Sequence, residues 1–377
     1  MIFWVNVPNS QEHFGAMLWL LVSLYLICQT TGSPFLEFKA TGPFYSIPLR
    51  IGMPPQEVNV TIDTTAHLTF VYTQDSQCYG EAIEPCISHP GFDYRKSNTL
   101  KNLKTKQTFL TPLGEAQGFL VEEIYSLGPY GMTETPATIG IANRVISHMN
   151  RKIPTSGFIS MFAPVHPVDS PDASHMQTLS SQSQAAIVSL FTPRCGTEMH
   201  SVTIGKSDDT NCQSDWVDFP LVPDNKRRWI IQLDSVSCGP TINQQNVQAI
   251  LSTAADYLLA PRNYVKEIQK MFNAVVSDYQ NGSLGYSARV DCHQRKIGPL
   301  LRFDGQGRSF YMRPSQYIKQ FYTGVCILNI YSDDNAPSRW TLPYMFFQSN
   351  CARFDFENRT VGFSTPKNFE TCSKSYK

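Results

Sequence analysis

Two stretches of the chain carry side chains that could do chemistry. The first is Val58-Asn-Val-Thr-Ile-Asp63-Thr64-Thr65-Ala-His67-Leu-Thr-Phe-Val71, in which Val58, Val60 and Ile62 alternate up to Asp63 and a second apolar run leaves it. The second is Gln248-Ala-Ile-Leu251-Ser252-Thr253-Ala254-Ala255-Asp256-Tyr-Leu-Leu-Ala-Pro261. It has the same plan: apolar residues, a small polar turn with Thr in the middle, then apolar residues again. Asp63, His67 and Ser252 are the residue types of a serine hydrolase. Ser252, however, has no Gly-x-Ser-x-Gly elbow around it and no oxyanion hole can be argued, so that chemistry is not expected. Zinc is not expected either, because no C-x-x-C pair occurs.

The elements that must position these residues are mostly strands. The 25 prolines and 22 glycines are spread along the whole length and favour many short strands and turns over long helices. Trp229, Ile231 and Leu233 alternate before Asp234, and Phe354 to Phe363 reads as a hairpin turning at Glu357-Asn358. The periodicity predicts a helix from Asn263 to Val276, with Val265, Ile268, Met271, Phe272 and Val275 on one face and Pro261 just before it. Pro164 to Gln184, rich in Ser, Pro, His and Asp, reads as a loop. With 377 residues, 42% of them hydrophobic, the chain is long enough for two lobes with their own cores.

The two segments resemble the paired loops of the pepsin-like aspartic peptidases (peptidase A1). Tyr45 to Gln56, with Ile51-Gly-Met-Pro-Pro-Gln56, is similar to the I-G-T-P-P-Q stretch that precedes D-T-G-S-S in the N-lobe. Ala249 to Pro261 is similar to the C-lobe A-I-V-D-T-G-T-S-L-L-x-x-P without a gap. Gly118-Phe-Leu-Val-Glu-Glu falls where the flap hairpin is expected, Ser156-Gly157-Phe-Ile-Ser160-Met-Phe where D-G-I-L-G-L-G is, and Trp340-Thr-Leu-Pro343 where W-I-L-G-D is. The likeness implies a mostly β, bilobal pepsin-like acid protease fold, two β-barrel-like lobes flanking a central cleft. It implies an N-terminal lobe over 33–193 and a C-terminal lobe over 194–377, together one peptidase domain over about 45–365. It also implies a small disulfide loop between Cys78 and Cys86 and a second bridge between Cys292 and Cys326. The pairing of Cys195, Cys212, Cys238, Cys351 and Cys372 stays open.

In this family two carboxylates, one per lobe, hold a water and share one proton, because like charges a few Å apart cannot both ionise. One takes the water's proton while the other gives a proton to the scissile carbonyl. Here Asp63 holds the first position, but Ser252 holds the second, and a hydroxyl cannot act as the acid or base in that pair. Asp256 lies four positions on, and a strand-turn-strand is expected to keep it well away from the water. Both glycines after the Asp-Thr pair are replaced, by Thr65 and Ala254, and a side chain at Thr65 is expected to move the backbone donor or the carboxylate. The glycines behind each loop are replaced by Ser160 and Pro343, and Thr111-Pro112-Leu113-Gly114 has no flap tyrosine. Thr64 and Thr253 remain, and the resemblance implies that their hydroxyls tie the two loops together. The expectation is an inactive peptidase homologue that binds extended peptides in the interlobe cleft; the alternative is a weakly active aspartic endopeptidase.

The formal net charge is zero, and the only basic run, Lys226-Arg227-Arg228, reads as a solvated turn, so no nucleic-acid partner is expected. Met17 to Cys28 is an uncharged apolar run, too short to span a bilayer, and reads as the core of a signal peptide over 1–32, with either Met1 or Met17 as the start. The short distance from Gly32 to Asp63 leaves no room for a basic propeptide. Ten cysteines, nine of them after Cys28, fit an oxidising compartment with up to four bridges and one leftover thiol. The sequons at Asn59, Asn281 and Asn358 fit the same route. A monomer, secreted or held in the secretory or lysosomal pathway, without cofactor, metal or membrane span after signal removal, is the resulting expectation.

Overall fold

A computed structural model describes residues 36–41, 44–80, 87, 90–112, 114–127, 136–147, 153–164, 173–192, 199–280, 286–332 and 338–367. The expected signal segment lies outside them, as do Cys86, Leu113, Cys195, Asn281 and Cys372. None of the helices among the described residues is long and apolar enough to cross a membrane.

Strands dominate, as the turn-rich composition predicts, and the architecture is the bilobal pepsin-like fold. An eight-stranded sheet holds the strands between residues 46 and 160, and a seven-stranded sheet holds most of those between 230 and 342. A six-stranded sheet draws on both ends of the chain: Leu36–Thr41 pairs with Met199–Ile204, and Ile187–Phe191 pairs with Cys351–Asp355. The hairpin at the C-terminal end forms between Cys351–Asp355 and Thr360–Ser364.

The same arrangement occurs twice around the two loops. Gly157–Ser160 lies parallel to Gln56–Asp63 and antiparallel to the start of Phe70–Gly80, so it threads between the strands that enter and leave the Asp63 loop. Trp340–Leu342 does the same between Ile242–Leu251 and Leu258–Ala260. Strands flanked on both sides are buried, and the patterning shows it. Gln56–Asp63 alternates while one face is wet, with Glu57 and Asn59 exposed and Val58 and Val60 buried, and is then buried from Val60 to Asp63. Trp229 is fully buried and its indole N–H donates to the carbonyl of Met161 at 2.6 Å, joining the two halves beneath the loops.

Three expectations need correction. The helix runs over Arg262–Met271, with Val265 and Ile268 buried, but Val275 begins the strand Val275–Gln280 and is 69% exposed. Pro164 to Gln184 is not all loop: Ser174 caps a short helix, His175–Ser181, by accepting from the N–H of Gln177 at 3.1 Å. Its buried face includes Gln177 and Ser180, so hydrophobic periodicity could not reveal it. Lys226-Arg227-Arg228 is not a solvated turn throughout, because only Lys226 is exposed. Among the open cysteines, Cys212 pairs with Cys351, across 139 residues, while Cys238 is an unbridged, buried thiol pushed up to about 12 by burial. Cys292 pairs with Cys326, and Cys78 is disulfide-bonded.

Gly157 makes the threading possible. A Cβ there would lie 2.3 Å from the carbonyl oxygen of Phe70 and 2.8 Å from the Cα of Val71, both backbone atoms. Gly157→Ala is therefore expected to lower stability by about 1–3 kcal/mol, read as a fall in the urea midpoint with unchanged slope. A midpoint equal to wild type would show that the threaded strand can shift at no cost.

Candidate active site and interlobe cleft

The two loops meet through a reciprocal set of buried hydrogen bonds. The Thr64 N–H donates to Thr253 Oγ1 at 3.2 Å, and the Thr253 N–H donates to Thr64 Oγ1 at 3.1 Å. Each hydroxyl then donates onward to the opposite strand, Thr64 to the carbonyl of Leu251 at 2.7 Å and Thr253 to that of Ile62 at 2.6 Å. This places Asp63 and Ser252, each one residue before its threonine, at equivalent points of the paired loops.

Asp63 is 1% exposed. Its Oδ1 accepts from the N–H of Thr65 at 2.7 Å and from the Thr65 hydroxyl at 2.6 Å. The backbone donor that a side chain at Thr65 was expected to displace is still in place, and the hydroxyl adds a second. Oδ2 is buried with no hydrogen-bond partner among the described residues. Burial pushes the Asp63 carboxyl up from its ordinary value, against the lowering effects of Thr65, the Ala66 N–H and His67. Ser252 is 2% exposed, and its N–H donates to the carbonyl of Leu342 at 2.9 Å. Asp256 is turned away, its Oδ2 2.8 Å from the Lys319 ammonium, as the strand-turn-strand geometry predicts.

A cleft of about 510 Å³ opens above the loops, with walls from both halves of the chain. Thr65, Ser252, Phe70, Phe109, Tyr257 and Arg228 are among the residues that line it. Asp63 is not among the lining residues, whereas Thr65, whose hydroxyl donates to it, is. The flap is the hairpin of Lys101–Thr111 and Gly114–Glu123. No aromatic occupies its tip, where Leu110 is 76% exposed, but Phe109 stacks on Phe70 at 4.7 Å and pins the strand below the tip. His67 sits on the rim, 6.0 Å from the ring of Phe162. Partial desolvation and the nearby Arg227 and Arg228 lower its pKa, with Asp63 and Asp224 opposing.

One feature of the site was missed from sequence. Behind the Asp63 loop the Ser160 N–H donates to Thr69 Oγ1 at 2.9 Å, Thr69 Oγ1 lies 2.6 Å from His175 Nδ1, and the His175 N–H reaches Ser160 Oγ at 3.4 Å. The Tyr125 ring packs edge-on against the imidazole at 5.1 Å. Only the loss of the glycine at position 160 hinted that something polar would fill this space. Of the sequons, Asn59 lies exposed on Gln56–Asp63, and Asn358 sits in the exposed hairpin turn with its amide donating to Asp355 Oδ2 at 2.8 Å.

Two lobes joined through twin threonine-bearing loops beneath a flap-covered cleft define the aspartyl protease class of architecture. The sequence comparisons agree. The family model for eukaryotic aspartyl protease matches residues 44–366, and the chain belongs to that family. It is 27% identical over 351 residues to Aspartic protease 1 of Caenorhabditis elegans, covering 88% of this chain and 84% of that protein. It is 24% identical to chymosin of Bos taurus, over 88% of this chain and 81% of the other. With renin of Rattus norvegicus it shares 24%, over 83% and 77%.

Burial drives the pKa of His175 down to about 4 from its ordinary 6.5. Between those values the unfolded chain takes up a proton that the folded chain refuses, so stability falls as pH falls through that window. The expected contribution is about 3 kcal/mol, lost between about pH 6.5 and pH 4. Urea unfolding at both ends of the window should show wild type losing that much more than His175→Asn. Equal losses would mean that the imidazole is protonated in the folded state.

Proposed function

We propose that this chain is a non-catalytic member of the aspartyl protease family that binds extended peptides in its interlobe cleft. The observation that carries the reading is Ser252 at the point paired with Asp63. Water activation needs one group that holds a proton and one that accepts one at the same pH, and two carboxylates supply this by sharing a proton. A single buried carboxyl whose pKa is raised favours its neutral form, and the serine hydroxyl beside it does not ionise in the acid or neutral range. Loss of one member of such a unit costs on the order of 10⁴ to 10⁶ in rate. Thr65 adds to the effect by holding Asp63 Oδ1 with its hydroxyl. Thr64 and Thr253 keep a structural role, and the cleft keeps a size and an apolar lining suited to a peptide's side chains, with the flap strand able to offer backbone hydrogen bonds.

Secretion accompanies this reading. The apolar run Met17 to Cys28 serves as a signal sequence, and the bridges Cys212–Cys351 and Cys292–Cys326 suit an oxidising compartment. Asn59 and Asn358 are exposed acceptors for glycans, and the protein acts as a monomer of two lobes divided near residue 193.

The test is cleavage of acid-unfolded haemoglobin and of casein from acid to neutral pH, with and without a statine-type transition-state mimic. The natural sequence is expected to release no acid-soluble fragments above the no-enzyme control. Ser252→Asp alone is expected to remain at least about 100-fold below an active relative, because the Thr65 hydroxyl still holds Asp63. Adding Thr65→Gly should raise the rate further. Statine-sensitive cleavage by the unaltered protein would overturn the proposal in favour of a weakly active endopeptidase.

A further inference from the structure

One end of the six-stranded sheet brings together parts of the chain that carry cysteines far apart in sequence. Ile187–Phe191, Cys351–Asp355 and Thr360–Ser364 are neighbours in that sheet. Leu190 faces Ala352 and Cys351 faces Ser364, so Phe191, Cys351 and Ser364 stand at the same end of three adjacent strands. The chain leaves Phe191 through Thr192 and returns at that end, where Phe191 faces Ser201 and Thr192 Oγ1 lies 3.0 Å from His200 Nδ1. Cys195 belongs to this connection. From Ser364 the chain runs on beside Cys212. The Gln213 N–H donates to the carbonyl of Thr365 at 2.9 Å, and the Lys367 N–H to that of Asn211 at 2.8 Å. Cys212 is itself bonded to Cys351, and Cys372 follows five residues after Lys367.

The lengths of chain allow the two remaining cysteines to meet there. Neighbouring strands lie about 4.8 Å apart, so Phe191 and Ser364, on either side of Cys351, are about 10 Å apart. Lys367, three residues past Ser364, adds at most about 10 Å. Three residues beyond Thr192 reach up to about 10 Å, and five beyond Lys367 up to about 17 Å. A disulfide needs its two Cα atoms about 4.4–6.8 Å apart. Cys195 and Cys372, which lie outside the described residues, are thus tethered on segments long enough to close.

The other cysteines are taken or enclosed. Cys292 pairs with Cys326. Cys78 is disulfide-bonded and packs against the cluster that holds Ile87, the residue after Cys86. Cys238 is an unbridged thiol, 1% exposed in the seven-stranded sheet, where a second cysteine could not enter without unpacking it. Cys28 lies in the apolar run ahead of Gly32 and is removed with it.

We propose that Cys195 and Cys372 form a disulfide that ties the segment after Lys367 to the connection between Ile187–Phe191 and Met199–Ile204. The proposal rests on the reading of the chain as secreted. The two thiols lose two protons and two electrons as the S–S bond forms, and a disulfide oxidant of the secretory compartment accepts the electrons and becomes a dithiol. Together with Cys212–Cys351, the bond gives one end of the sheet two covalent staples, at the opposite extreme of the chain from the Asp63 loop.

The full chain is secreted from eukaryotic cells, unfolded without reductant, alkylated and digested with trypsin for mass spectrometry. The peptides 195–206 and 368–374, each with a single cysteine, are expected as one linked species that separates on reduction. A single alkylated thiol, Cys238, is expected per chain. Cys195→Ser and Cys372→Ser should each expose one further thiol, on the orphaned partner, and the double variant none. In the folded wild type, cleavage after Lys367 should leave 368–374 attached until reductant is added. In Cys195→Ser the same cut should release it. Alkylated Cys195 and Cys372 beside intact Cys212–Cys351 and Cys292–Cys326 bridges would overturn this inference and leave secretion standing. A link from either cysteine to Cys238, or to a second copy of the chain, would also overturn it. Every cysteine alkylated would overturn both readings.

Discussion

The structure depends on two threonines that hold the halves of the chain together. Each of Thr64 and Thr253 uses its hydroxyl as acceptor for the other's N–H and as donor to a carbonyl of the other's strand, so six buried polar groups are satisfied by four hydrogen bonds. Leaving any of them unpaired in a dry interface would cost about 1–3 kcal/mol. The exchange also fixes where Asp63 and Ser252 can stand, because each is bonded through the backbone to the threonine that follows it. The threaded strands Gly157–Ser160 and Trp340–Leu342 then hold each loop from behind. A cleft with this geometry follows from the clasp whether or not chemistry takes place in it.

That separation explains how one fold can keep its shape while its chemical centre changes. The carboxylate pair of an active member has an electrostatic cost, two like charges at close range, which is met by sharing a proton. With Ser252 opposite Asp63 the cost disappears, and with it the reason for a solvated centre. Asp63 here behaves as a buried polar group: its Oδ1 is satisfied locally by Thr65, and its raised pKa reflects desolvation before any other cause. Among the described lining residues Arg228 is the one with a fixed charge, and it is paired with Asp224. Recognition and catalysis call on different residues, and only the second requires the dyad.

Much of this was legible in the sequence, for identifiable reasons. Alternation at Val58, Val60 and Ile62 and the repeat of a Thr-centred turn near residue 252 are local patterns, and they located the two loops. The hairpin at the C-terminal end and the core of the helix at Arg262–Met271 were legible on the same ground. What could not be read was set by partners distant in sequence. Val275 has the right helical phase but is taken by the strand Val275–Gln280, and the Cys212–Cys351 bridge joins a connecting segment to a strand 139 residues on that it meets only after folding. Arg228 looked like part of a solvated basic turn because nothing local shows that Asp224 folds back on it or that the cleft wall passes beside it.

The network behind the Asp63 loop bears on how the departures from the family pattern fit together. Ser160, at the end of the threaded strand, and Thr69, just before the strand Phe70–Gly80, are buried polar residues, and each alone would be a liability. Together with His175 they satisfy one another, and the helix that brings His175 into place is capped by Ser174 and buries its own polar residues Gln177 and Ser180. The replacement at position 160 is therefore matched by the Thr69 hydroxyl, just before the adjoining strand, and an imidazole from a separate helix. At position 65 the replacement is matched by the hydrogen bond it makes to Asp63. Changes that were only losses of catalytic geometry would leave unpaired groups around the loop. Here only Asp63 Oδ2 is left without a partner in the immediate centre, among the described residues. The loop is packed as a support beneath the cleft, its hydroxyls and imidazole bonded to one another and Asp63 buried among them.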